Sequence, residues 1–262
     1  MIRHQPNGVA YYTFESLDGF SEIVHAVTTR HGGVSTGKYA SLNLTTGTGD
    51  DPAAVRENLD RACAALGLRR EDAVSPNQRH TANMRRIEKI DRGQVFADYD
   101  IFVTDQPDVP LVLRYADCTP VLIYDPERRA LAVVHSGWRG TVQGASRAAV
   151  EALAHEYGSR PADMVAGIGP SIGPCCYEVG DEVVDAVRAR FAHADDLLPV
   201  RPGQERRHFD LWAANRRWLS DAGVRRIETA ALCTACRVDE FYSYRAEKGK
   251  TGHFGAIMAL RE

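Results

Sequence analysis

Cys118 and His135 are the residues whose types and spacing first suggest chemistry. They flank two apolar runs, PVLIYD (120–125) and ALAVVH (130–135), joined by DPERR (125–129). Runs of this length and content read as strands, and so short a link makes an antiparallel hairpin, not a parallel crossover. With the turn centred on Glu127, Cys118 and His135 are predicted to lie nearly opposite each other at the open end of the hairpin. Opposed residues in such a pair are ~4.5–5.5 Å apart, close enough to share a metal or a hydrogen bond. A register slip of one residue would send them to opposite faces. Two chemistries fit the pair: a nucleophilic thiolate with imidazole as its base, or two ligands of a metal that needs a third.

The segment after His135, SGWRGT, is a glycine-containing turn that leads into a predicted helix. Free N–H groups there, with the charge of Arg139, would make an anion cradle. Trp138 reads as core or pocket wall. A third metal ligand must come from elsewhere. His80, in SPNQRHTANM, is one candidate, and His25, His31 and His253 are others; spacing does not choose among them. Cys175–Cys176 and the pair Cys233, Cys236 in C-T-A-C could together form a four-cysteine zinc site. The adjacent pair lacks the usual two-residue spacing, so these read as packing thiols. Cys63 sits on the inner face of a predicted helix.

The positioning elements follow from periodicity and turn residues. Strands are predicted at 22–30, 99–104, 110–115, 120–125, 130–135, 163–168, 227–232, 240–245 and 254–260. Helices are predicted from Pro52, with Asp51 as N-cap, and at 141–157, 181–192 and 211–222, the last capped by Asp210. Residues 31–50 form a long Gly/Ser/Thr-rich loop, a type of segment that often carries function. Short hairpins among helices imply a mixed or antiparallel sheet arrangement, not a doubly wound one.

The chain has 262 residues, with 32 Lys+Arg against 35 Asp+Glu. A net charge of -3 argues against general nucleic-acid binding, though not against a local basic pocket. No stretch has the ~18 uncharged apolar residues of a membrane span. The opening MIRHQPNGVAYYTF has no secretory apolar region, so a cytoplasmic location is expected. Six cysteines in that compartment read as thiols or metal ligands, not disulfides.

Seven segments carry a resemblance: TTRHGGVSTGKYASLNL, GDDPAAVRENL, QRH, VTDQPDVPLVLRYADCTPVLIYDP, VVHSGWRGTVQGA, GIGPSIGPCCYEVG and FYSYRAEKGKTGH. The chain resembles the YfiH-like laccase-domain family, also described as multicopper polyphenol oxidoreductases, peptidoglycan editing factors, and purine nucleoside phosphorylases with adenosine deaminase activity. The resemblance implies a single catalytic domain over 1–262 with an α/β (α+β) fold, mixed and four-layered, α/β/β/α, of the CNF/YfiH-like type. It implies His80, Cys118 and His135 as metal ligands and catalytic residues, with zinc as the ion and copper as another possible occupant.

Asn43, Arg56, Arg139 and Arg245 are the implied substrate contacts, and a nucleoside (adenosine, inosine or methylthioadenosine) and phosphate the implied partners of a monomer. The chain departs from the family pattern beside His80, where Arg79 and Thr81 stand. It departs again at Thr251-Gly252-His253, where His253 replaces an arginine and could weaken an anion contact. Copper-dependent phenol oxidation, a metal-free cysteine hydrolase or peptidoglycan-precursor editing enzyme using Cys118 and His135, and a non-enzymatic scaffold are the competing readings. The first is disfavoured because conventional multicopper oxidases use H-x-H pairs, which this chain lacks.

Overall fold

The computed structural model describes residues 1–201, 203 and 205–262. Thirteen strands run in chain order: β1 Ile2–His4, β2 Tyr11–Thr13, β3 Ile23–Thr28, β4 Ser75–Asn77, β5 Met84–Arg86, β6 Val95–Ala97, β7 Ile101–Thr104, β8 Leu111–Tyr115, β9 Thr119–Asp125, β10 Ala130–Ser136, β11 Val165–Ile168, β12 Arg226–Thr229 and β13 Phe254–Leu260. Among the described residues six α-helices accompany them: α1 Glu15–Asp18, α2 Pro52–Ala64, α3 Trp138–Gln143, α4 Ala145–Tyr157, α5 Asp181–Arg190 and α6 Leu211–Asp221. One sheet is antiparallel with order β1-β2-β3-β13-β8; the second is mixed with order β12-β11-β9-β10-β7-β5; β4 and β6 form a small parallel pair.

The two large sheets pack face to face, and strand alternation explains how. In β10, Leu131 and Val133 point into the core between the sheets, with Leu122 and Tyr124 of β9 and Leu113, Phe254 and Met258 of the first sheet. Ala130, Ala132 and Val134 point the other way, under Ala149, Val150 and Leu153 of α4 and Leu219 of α6. Ala62 of α2 and the adjoining Leu66 cover the outer face of the first sheet, against Val24, Ala26, Ile257 and Ala259. The order is therefore helix, sheet, sheet, helix. Both faces of β9 and β10 are buried, which is why these strands read as unbroken apolar runs.

Three expectations need correction. The helix predicted at 141–157 starts earlier, at Trp138, and breaks at Gly144, whose φ of 86° ends α3 and starts α4. Residues 240–245 are not a strand. Their backbone is held by turns, with Phe241 N donating to Arg237 O at 2.8 Å and Glu247 N to Ser243 O at 3.0 Å, and by side chains, with Ser243 N donating to Glu247 Oε2 at 3.0 Å and Arg245 N to Asp117 Oδ2 at 2.7 Å. The hairpin register also differs. Asp125 pairs with Ala130 and Pro120 with His135, because the turn occupies 126–129, with Arg129 at a left-handed φ of 48°. The helix caps at Asp51 and Asp210 are as predicted, accepting from Ala53 N at 3.0 Å and Ala213 N at 2.9 Å. Among the described residues, no helix is long and apolar enough to cross a membrane.

His25, the first alternative ligand candidate, has a structural role in β3. Its Nε2 accepts from Phe14 N at 2.8 Å, and burial holds its pKa down at about 4 against an ordinary 6.5. The neutral ring is the folded form. Above the ordinary pKa both states are neutral and His25 contributes no slope; as the pH falls from there towards about 4, only the unfolded chain takes up the proton. Stability is expected to drop by about 3 kcal/mol across that window, on the scale of ~1.4 kcal/mol per pKa unit. Urea midpoints at neutral and mildly acidic pH check this. His25→Gln, which keeps an acceptor for Phe14, should flatten the fall. The flattening will be partial, since His253 is depressed in the same direction.

Candidate functional site

Cys118 does not sit opposite His135. It lies just before β9, while His135 pairs with Pro120. The offset is two positions, not one, so both side chains remain on the inter-sheet face, and Cys118 is diagonal to His135. His80 completes the group. One ligand atom from each of His80, Cys118 and His135 lies within 4.8 Å of the others, and the two imidazoles stand edge to face at 4.9 Å. Gly137 closes the group from one side. A Cβ there would come within 2.8 Å of Cys118 Sγ and 2.9 Å of His80 Cδ2, so the cluster needs glycine at this position.

Asp100, which sequence reading passed over as part of a strand, organises the site. Its fully buried carboxylate accepts from Arg79 N, His80 N and Thr81 N at 3.1, 3.0 and 2.8 Å, and from Thr81 Oγ1 at 2.9 Å. It also pairs with His135 Nδ1 at 2.7 Å. The first set shapes the turn that carries His80, whose φ is 62°. The pair with Nδ1 leaves His135 Nε2 as the free ring nitrogen, the arrangement in which a carboxylate orients a metal-bound histidine. Burial alone would raise the Asp100 carboxyl, but His135 and Thr81 bring it down to about 2.

The pair itself is strongly polarised. Burial pushes the Cys118 thiol up, but His135 and His80 overcome it and bring it down to about 6. Burial pulls His135 down, but Cys118 and Asp100 raise it to about 9. The thiolate is thus the favoured form at neutral pH, as both a metal ligand and a nucleophile require. Two nitrogens and one thiolate suit zinc with an open position, and the set resembles that of copper electron-transfer sites as well.

The group opens into a cavity of about 950 Å³. Arg79, Arg114, Arg139 and Arg245 line it, with His253 and the aromatic rings of Trp138, Tyr177 and Tyr244. The lining carboxylate is Asp117, already bonded to Thr234 Oγ1 and Arg245 N at 2.6 and 2.7 Å. Arg114 is the second residue that sequence reading missed. Its guanidinium bonds Leu44 O at 2.6 Å and Ser75 Oγ at 3.2 Å, and among the described residues no carboxylate pairs with it. Burial lowers its pKa to about 10. Asp100 and Arg114 each carried one signal: a lone charge at or within an otherwise apolar run, YDIFVT or PLVLRY.

The named contacts divide. Arg139 and Arg245 line the cavity; Asn43 and Arg56 do not. Arg139 lies over the Trp138 ring and reaches Glu182 at 3.6 Å, and Arg245 bonds Glu178 O at 3.0 Å. Asn43 is fully buried and ties the wall together: it bonds Thr45 O at 2.9 Å and Asp50 Oδ2 at 2.8 Å, and accepts from His253 N at 2.8 Å. Arg56 is exposed on α2, away from the wall, because the buried face of that helix is set by Val55, Asn58 and Ala62. His31 lies outside the cavity, and His253 belongs to its wall.

A family described as multi-copper polyphenol oxidoreductase laccase matches residues 24–261. A purine nucleoside phosphorylase of Bacteroides thetaiotaomicron is 36% identical over 248 residues, covering 91% of this chain and 92% of its own. A protein named adenosine deaminase RL5, from an unknown prokaryotic organism, is 33% identical over 243 residues, covering 88% and 92%. The crystal structure of YlmD from Geobacillus stearothermophilus superposes with a TM-score of 0.91 at 34% identity, covering 99% of this chain and 98% of that one.

Proposed function

Because the chain belongs to the multi-copper polyphenol oxidoreductase laccase family, the YfiH family, we propose that it is a zinc-dependent purine nucleoside phosphorylase that also deaminates adenosine. One observation carries the reading: a His/Cys/His group able to hold a metal opens into a cavity lined, among the described residues, by four arginines, three aromatic side chains and one already bonded carboxylate. Arginine forks suit phosphate, and aromatic faces suit a purine ring. The names of the two relatives, a purine nucleoside phosphorylase and an adenosine deaminase, support the same reading.

His80, Cys118 and His135 would hold the ion, with Asp100 fixing His135. When bound, the ion supplies Lewis-acid chemistry at a substrate or water oxygen. The chain's own residues do the rest. Arg139 and Arg114 hold phosphate beside the ribose, and Trp138, Tyr177 and Tyr244 flank the base. Asp117 fixes the backbone of Arg245, so that its guanidinium projects over Tyr177, 5.3 Å from the ring centre. The working unit is a single domain over 1–262.

Incubation with adenosine, with and without phosphate, tests the reading. Adenine and ribose 1-phosphate are expected only when phosphate is present, and inosine in both cases. Absence of all three products sinks the proposal. Replacing Arg114 by Met should raise KM for phosphate about tenfold or more, the size of one charge-assisted hydrogen bond, and leave KM for the nucleoside nearly unchanged. An equal rise in both would show a general loosening of the wall.

The polarised Cys118/His135 pair supports a second reading, a cysteine hydrolase. Chelation separates the two, since a dyad survives loss of the ion.

A further inference from the structure

We propose that Cys175, Cys176, Cys233 and Cys236 form a second metal site, structural in role and separate from the His80/Cys118/His135 group, that takes a thiophilic divalent ion, zinc above all. The adjacent-cysteine spacing that argued against such a site in the sequence is overcome by the fold. Strands β11 and β12 are parallel neighbours, so the chain leaves both at the same end. The two exit segments then continue side by side: Ser171 forms a bridge with Cys233, Ser171 N donates to Leu232 O at 3.2 Å, and Thr234 N donates to Ser171 O at 3.1 Å. Cysteines about sixty residues apart in sequence are thereby brought together.

The geometry points to an ion and not to a bond between two sulfurs. All four Sγ atoms lie within 4.8 Å of one another, with Cys175 and Cys176 at 3.5 and 3.3 Å from Cys236. A tetrahedral zinc with Zn–S bonds of about 2.3 Å places its sulfurs roughly 3.8 Å apart, inside that spread. One disulfide would use two of the thiols and leave no reason for the other two to converge. Gly173 N also donates to Cys233 Sγ at 3.3 Å, which fixes that sulfur in place. On binding, the thiols release their protons to solvent, and no electron is transferred.

The site would act on the cavity wall. Ile172 and Tyr177, on either side of the cysteine pair, both line the cavity. Asp117, next to Cys118, accepts from Thr234 Oγ1, while its carbonyl accepts from Ile172 N at 3.0 Å. An ion held by the four sulfurs would lock both segments against that wall. The proposal does not depend on what the enzyme acts upon.

The test is metal analysis of protein purified without oxygen from zinc-supplemented cells. The wild type should carry an ion in each site, Cys118→Ala should keep the four-cysteine ion, and Cys236→Ser should keep the other. Cys236 is exposed, so its replacement spares the core. If Cys236→Ser does not fold, cobalt titration of Cys118→Ala still decides. Saturation at one ion per chain, with intense tetrahedral thiolate absorption and protection of four thiols from alkylation, supports the site. A Cys118→Ala protein that binds no ion, with its four thiols freely alkylated or with Cys176 and Cys236 joined as a disulfide, overturns it.

Discussion

Cys118→Ala is expected to lose the triad's metal and to slow phosphorolysis roughly a thousandfold or more, while the chain stays folded. A bound metal is worth several kcal/mol of transition-state stabilisation, and each 1.4 kcal/mol is about tenfold in rate. The substitution removes one sulfur at the edge of a cavity, so it opens no void in the core and costs little stability. Metal content, melting temperature and product formation from adenosine and phosphate check the three parts separately. Loss of rate with the triad's metal still bound would favour the nucleophilic thiolate. Retention of both would place the chemistry elsewhere in the cavity. Chelating the wild type supplies the complementary result: activity should vanish and return with zinc.

Asp100→Asn is expected to weaken metal binding about ten- to a hundredfold, the usual effect of losing the carboxylate behind a ligating histidine. The carboxylate accepts three backbone N–H groups, the Thr81 hydroxyl and the His135 ring. An amide offers one oxygen and turns two donors towards groups that already donate. Some of those buried donors lose their partner, at about 1–3 kcal/mol each. The variant should therefore melt earlier and bind zinc less tightly, as read by competition with a chelator. If stability falls but zinc affinity does not, Asp100 only supports the 79–81 turn. Its acid behaviour follows from its depressed pKa of about 2. The stabilisation is complete above the ordinary value of 3.8 and is lost as the pH falls through the folded value.

Within the sequence, the inner strands β3, β7 to β11 and β13 were legible because their burial leaves apolar runs, whereas the short, partly exposed β1, β2 and β5 left no such signal. The helices from Pro52 and after Asp210 were legible because their caps and periodicity agree. The 240–245 segment misled because Phe241 and Tyr242 are buried apolar residues in a stretch whose backbone bonds go to local turns and to the side chains of Glu247 and Asp117 instead of a ladder. Asn43 and Arg56 show the same limit at the site. Polar type and position in a motif do not say whether a side chain faces the cavity, props up its wall or lies on a helix surface.

By itself the sequence determined that a cysteine and a histidine stand near the open end of one β-hairpin, since two apolar runs and a short turn are local properties. It also fixed the apolar strands between which the hairpin is buried. Only the tertiary structure decided the rest. Whether Cys118 shares a face with His135 depended on a turn register that DPERR does not specify. Which histidine joins them depended on Asp100 gripping the turn of His80 while pairing with His135. The convergence of four cysteines depended on two parallel strands delivering their exit loops to one place. Each of these rests on contacts between residues distant along the chain, and such contacts follow from how whole elements pack, which no local pattern records.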